Sequence, residues 1–185
     1  MVRGPAVAVR HVDGAEAEGP SSWLLECADL LPRGGPALDV ACGLGRHTLV
    51  LAAGGFSVRA VDRDPAKIES LQASAARLGL AIRAEVLDLE AGEANLGDGA
   101  CDLVLVVNYL HRPLFPALVR ALVPGGLLLY ETFTMEQARR GRPTNPDFLL
   151  KAGELRGLVA PLEVLREREG DFDGRMIASV AARRA

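Results

Sequence analysis

Short apolar runs alternate with helix-length segments along residues 38–131, and glycine or proline marks most of the joints. Residues 38–41, 57–61, 81–87 and 127–131 read as strands, and residues 102–107 as one more. The last of these is almost continuously apolar, as expected of a strand at a sheet centre, buried on both faces. Helices are expected over 44–53, 64–78 and 113–123. In the second, Ile68, Leu71, Ala75 and Leu78 recur at helical spacing, Asp64 and Pro65 form the start signal, and Gly79 the stop. Ser21 or Ser22 is placed to cap a first helix through about residue 31. A short helix and turn is expected over 90–100. Beyond 131 the pattern changes: 134–147 is polar, 147–159 reads as a helix, and 162–168 and 176–182 as two strands joined by a turn at 170–174. The alternation of Leu162 and Val164, then Met176, Ala178 and Val180, predicts a hairpin paired beside strand 127–131. The fold class that follows is α/β: a mostly parallel, seven-stranded open sheet with helices on both faces and a C-terminal antiparallel hairpin.

Composition narrows the class. At 185 residues the chain suits one domain, read here as a loose lead-in over 1–20 and a folded unit over 21–185. The net charge of −3 lacks the basic excess of a nucleic-acid binder, so no nucleic-acid partner is expected. No apolar run is long enough to span a bilayer. Cys27, Cys42 and Cys101 are widely spaced and form no metal-ligand pattern; with no signal peptide recognisable, a cytoplasmic location is expected. A monomer or weak homodimer is expected.

The chemistry concentrates at 38–62. Leu38-Asp39-Val40-Ala41-Cys42-Gly43-Leu44-Gly45-Arg46-His47 is a strand running into a Gly-x-Gly turn and a helix, and Asp62 follows Gly43 by 19 positions. Glycines there let backbone approach a ligand, and an acid at the end of the next strand suits ribose hydroxyls. Thr48 stands where a dinucleotide fingerprint has its third glycine. Asp39 would repel a pyrophosphate but suits a ligand carrying an amine and a sulfonium. The stretch resembles motif I of the class I S-adenosylmethionine (SAM) dependent methyltransferases. Val61-Asp62 resembles the acidic motif II, Leu87-Asp88-Leu89 the adenine segment, residues 102–108 motif IV, and Val123-Pro124-Gly125-Gly126 the turn before the fifth strand. Within that superfamily residues 38–47 and the Gly-Phe-Ser-Val-Arg-Ala-Val-Asp stretch at 55–62 are most like the tellurite-resistance methyltransferases.

The resemblance implies a Rossmann-like methyltransferase fold with SAM as cofactor and a small-molecule methyl acceptor, such as a soft or anionic nucleophile. It places cofactor contacts at Asp39, Ala41, Cys42, Gly43 and Gly45 after the first strand, and Asp62 and Arg63 after the second. Asp88 and Leu89 follow the third strand, and Asn108 and Tyr109 the fourth. On the acceptor side, His111 and Glu131 are the candidate bases, and Arg112 and Arg142 the candidate binding cations. Arg112 also reads as a helix cap or as a partner for Glu131. Cys42 reads as a packing residue under the cofactor, and His47 as a structural or helix-terminus residue, with a ligand-facing role as the alternative. Two rival functions remain: a SAM-binding module without catalysis, and a small NAD(P)-dependent oxidoreductase. The short-chain dehydrogenase form of the latter wants Tyr-x-x-x-Lys, which neither Tyr109 nor Tyr130 supplies.

Overall fold

The computed structural model describes residues 19–92 and 94–185; the expected lead-in over 1–20 lies almost wholly outside them. Seven strands form one sheet: β1 (Gly35–Val40), β2 (Phe56–Asp62), β3 (Ile82–Val86), β4 (Cys101–Val107), β5 (Leu122–Phe133), β6 (Glu163–Phe172) and β7 (Arg175–Arg183). Their order is β3-β2-β1-β4-β5-β7-β6. The first five pair in parallel, and β7 pairs antiparallel with both β5 and β6. The hairpin therefore closes the β5 edge, as its alternating pattern predicts. From β1 the chain winds outward through β2 and β3, then returns to place β4 on the other side of β1. The carboxyl ends of β1 and β4 thus flank the switch point, where open sheets of this kind leave a crevice.

Alternation along the central strands sorts the core into two layers. Leu38, Val40, Val104, Val106, Leu128 and Tyr130 face α4 (Phe115–Ala121), where Phe115 stacks on Tyr130 with ring centroids 4.9 Å apart. Ala37, Leu103, Leu105, Leu127 and Leu129 share the opposite face with Trp23 and Leu24 of α1 (Ser22–Glu26) and Leu51 of α2 (Arg46–Ala53). The helix α3 (Pro65–Leu78) buries Ile68, Leu71 and Ala75 against β2 and β3. Its ends follow local chemistry. Asp64 accepts from the N–H of Ala66 at 3.0 Å, and Gly79 ends it at φ 65°.

Four elements differ from the sequence expectation. The first helix stops at Glu26, because Ala28 and Leu30 donate to Leu25 and Cys27 three residues back and tighten the chain into turns. Residues 94–100 hold no helix; Asx turns at Asp88 and Asn95 take the N–H groups of Glu90 and Gly97 instead. The helix expected over 147–159 forms only as α5 (Glu154–Leu158), since Gly153 sits at φ 68° and Leu150 bridges to Thr134 in extended conformation. The hairpin turn is tighter than expected: β6 runs to Phe172, and Asp173 and Gly174 turn at φ 54° and 73°. A two-residue connection with both φ positive matches the right-handed twist of the strands.

Candidate active site

A cavity of about 860 Å³ opens at the carboxyl ends of β1, β2, β4 and β5. Its floor is the turn between β1 and α2. Gly43 and Gly45 adopt φ 59° and 81°. A Cβ on Gly43 would meet nothing, so the requirement there is conformational. A Cβ on Gly45 would lie 2.4 Å from the Leu71 side chain, so packing adds to conformation. Ala41 and Asn108, also on the cavity, hold positive φ without being glycine, a strain that clusters at functional sites.

Two carboxylates organise this turn. Asp62 is buried; its Oδ2 accepts from the Gly43 N–H at 2.8 Å and its Oδ1 from the Asp64 N–H at 3.0 Å. Asp39 is buried too, and its Oδ2 accepts from the Thr48 hydroxyl at 2.5 Å. Burial pushes the Asp39 carboxyl up to about 7, against the pull of the Thr48 hydroxyl and backbone N–H. Thr48 is therefore more than the missing glycine of a fingerprint: it is the partner that holds the β1 acid in place. Burial also pushes the Cys42 thiol well up, so Cys42 lines the cavity as a neutral thiol.

Of the sequence-predicted cofactor residues, Asp39, Ala41, Cys42, Gly43, Asp62 and Arg63 line the cavity, as do Asp88, Leu89, Asn108 and Tyr109. Gly45 sits behind the wall, against Leu71. The Tyr109 hydroxyl reaches Glu90 at 3.3 Å, and the Tyr130 hydroxyl donates to the Tyr109 carbonyl at 2.7 Å, fixing the loop after β4.

The acceptor-side candidates are not brought together. Arg112 forks onto Glu154, Nε to Oε1 at 2.6 Å and Nη2 to Oε2 at 2.9 Å, and also donates to the carbonyls of Asp147 and Leu149. It pins the segment before α5 and pairs with Glu154, not with Glu131. Glu131 is fully buried. Its Oε1 accepts from the Ser21 hydroxyl at 2.7 Å, and its Oε2 from Arg168 at 3.0 Å and the Ser179 hydroxyl at 2.8 Å. Fully buried and held by three donors, Glu131 ties α1 and the hairpin to β5, and it is not among the residues that line the cavity. The Arg142 side chain is exposed, while its carbonyl is held by Gln137 at 3.1 Å. Among the described residues that line the cavity, neither His111 nor Arg142 appears; Pro143 and Phe148 of the same loop do, with Phe133 and Leu110. The β4–β5 end is thus walled by apolar and aromatic side chains. Phe148 was masked in the sequence by its place at the start of an expected helix. His47 also lines the cavity, in keeping with the ligand-facing alternative of its two sequence readings.

Residues 37–126 match the model of a methyltransferase domain family. The chain is 32% identical over 136 residues to Hemagglutinin 1 of Eikenella corrodens; the match takes in 71% of this chain but 45% of that protein, so the chain spans less than half of that relative. A SAM-dependent methyltransferase from Mesorhizobium loti superposes with a TM-score of 0.71 at 20% identity, covering 89% of this chain and 99% of that one. TehB from Haemophilus influenzae gives 0.69 at 21%, covering 89% and 62%. The fold is that of the SAM-dependent methyltransferases, and SAM is the cofactor of that fold and domain. Among the described residues no helix is long and apolar enough to cross a membrane.

Proposed function

We propose that this chain binds SAM in the β1–β4 cavity and transfers its methyl group to a small-molecule acceptor entering from the β4–β5 side. The observation that carries the reading is the pair of buried carboxylates around the glycine turn, Asp39 held by Thr48 and Asp62 holding Gly43. The donor set fits the cofactor. Asp62 keeps lone pairs for ribose hydroxyls, Asp88 and Leu89 bound the adenine end, and Asp39 supplies a negative charge for the amino group. When bound, SAM supplies a methyl group on a sulfonium, already a good leaving group. The protein's own work is then orientation and exclusion of water, and proximity alone contributes about 7–11 kcal/mol. A soft nucleophile suits a site whose Glu131 and Arg112 are committed elsewhere. The finer likeness to the tellurite-resistance methyltransferases, carried by residues 38–47, is in keeping with such an acceptor.

Asp39 gives the reading a pH signature. Its folded-state pKa of about 7 lies above the ordinary 3.8. This group therefore favours the folded, empty protein most fully below the unfolded value, and that contribution is lost as pH rises through 7. A cation beside Asp39 reverses the preference by stabilising the carboxylate. SAM affinity measured by calorimetry is expected to rise from pH 5.5 to 7, by at most about tenfold per unit, and Asp39→Asn to flatten the rise. NAD binding with SAM ignored would sink the reading.

A further inference from the structure

His47 stands outside the scheme above, yet it is buried on the cavity wall in the first turn of α2. The backbone N–H of Ser21 donates to its Nε2 at 3.0 Å across 26 residues of sequence. A nitrogen that accepts a hydrogen bond carries no proton, so in the neutral ring the proton sits on Nδ1. That ring is neutral near pH 7, because burial and the nearby cations Arg46 and Arg175 pull it down to about 4. Nδ1 has no protein partner among the described residues and is not a closed-off buried atom. The ring thus presents a fixed N–H donor at the cavity. It cannot serve as a base, since its one lone pair is taken.

The surroundings say what this donor meets. Thr48, the next residue, carries Asp39, where the amino group of SAM is read to lie. Gly45 caps α2 without a side-chain hydrogen bond, so the first turn presents the positive end of the helix. An amino-acid zwitterion with its amine at Asp39 brings its carboxylate to this same turn. Resting on the cofactor reading above, we propose that His47, locked as its Nδ1–H tautomer by Ser21, donates to the carboxylate at the amino-acid end of SAM. The segment at 19–23 then belongs to the cofactor site: Ser21 sets the tautomer through its N–H, and its hydroxyl anchors the segment to Glu131.

The test compares S-adenosylhomocysteine, which carries the amino-acid group, with 5′-methylthioadenosine, which lacks it. By calorimetry, His47→Phe is expected to weaken the first by about tenfold or more and leave the second within about twofold. His47→Asn, which keeps a donor, should recover most of the loss. Nitrogen-15 NMR of the ligand-free protein should show Nδ1 protonated and Nε2 bare from pH 8 down to 5.5. Ser21 has φ −52°, which proline tolerates. Ser21→Pro removes the N–H and should release the tautomer, whereas Ser21→Ala, which loses only the hydroxyl, should retain it. Equal losses for both ligands in His47→Phe would make the residue merely structural and overturn the proposal. So would unchanged affinities, or an Nε2–H tautomer in the unaltered protein. If the unaltered protein bound neither ligand while NMR showed the expected tautomer, the cofactor reading would have failed, and this proposal with it.

Discussion

Replacing Arg168 by methionine is expected to cost about 3–5 kcal/mol of folding stability, because it strands a fully buried carboxylate. Arg168 is the cation nearest Glu131, at 3.0 Å, and its side chain is itself only 9% exposed. The guanidinium also meets Glu26 at 2.6 Å and the Ser22 hydroxyl at 3.0 Å, and lies over the rings of Trp23 and Phe172. One side chain thus joins β6, α1 and β5. Methionine keeps much of the apolar contact with the rings but leaves Glu131 with two hydroxyl donors and no counter-charge. Removing the charge from both sides should be far milder. The double variant Arg168→Met with Glu131→Gln is expected to regain more than half of the loss, since an amide tolerates burial that a lone carboxylate does not. Urea unfolding of the four proteins of this cycle measures the effect. A loss below about 1 kcal/mol in the single variant would show that Glu131 is reached by water.

That cluster marks the boundary of what could be read from the sequence. Elements specified by neighbours in the chain were legible. Asp64, Pro65 and Gly79 bound α3 through contacts within a few residues. The nearly continuous apolar run of β4 showed a strand buried on both faces, whereas the alternation in β7 understated its burial, since Ile177 to Ala182 are all buried between β5 and β6. The glycine turn and Asp62 were legible for the same reason, as a local pattern with one fixed spacing. Glu131 and Arg112 were not. Their partners lie at Arg168 and Glu154, 37 and 42 residues away, and nothing local distinguishes a charge destined for a buried pair from one destined for a ligand. Thr48 was legible only as a departure from a glycine pattern, because its bond to Asp39 requires the strand and helix already docked. Residues 147–153 were expected to open the helix over 147–159. Arg112 draws the carbonyls of Asp147 and Leu149 outward, and the tertiary bonds override the local preference.

Asp62→Ala is expected to weaken SAM binding by about 1.5–3 kcal/mol, roughly tenfold to 150-fold. Two losses combine. The first is direct, since a ribose hydroxyl donating to a carboxylate makes a charge-assisted bond. The second is local, since Asp62 accepts from the N–H groups of Gly43 and Asp64 and so holds the glycine turn to the end of β2. Asp62→Asn separates the two. Its amide keeps one acceptor oxygen for the turn but loses the charge and one acceptor, so an affinity between those of Asp62→Ala and the unaltered protein is expected. Asp88→Ala is the control at the other end of the cavity. Asp88 is exposed and, among the described residues, accepts only from the Glu90 N–H of its own turn, so its loss should cost no more than about 1 kcal/mol. Calorimetry with S-adenosylhomocysteine ranks the three variants. Should Asp88→Ala prove the more damaging, the ribose would have to lie nearer the β3 end, and the cofactor would sit across the cavity in the reverse sense.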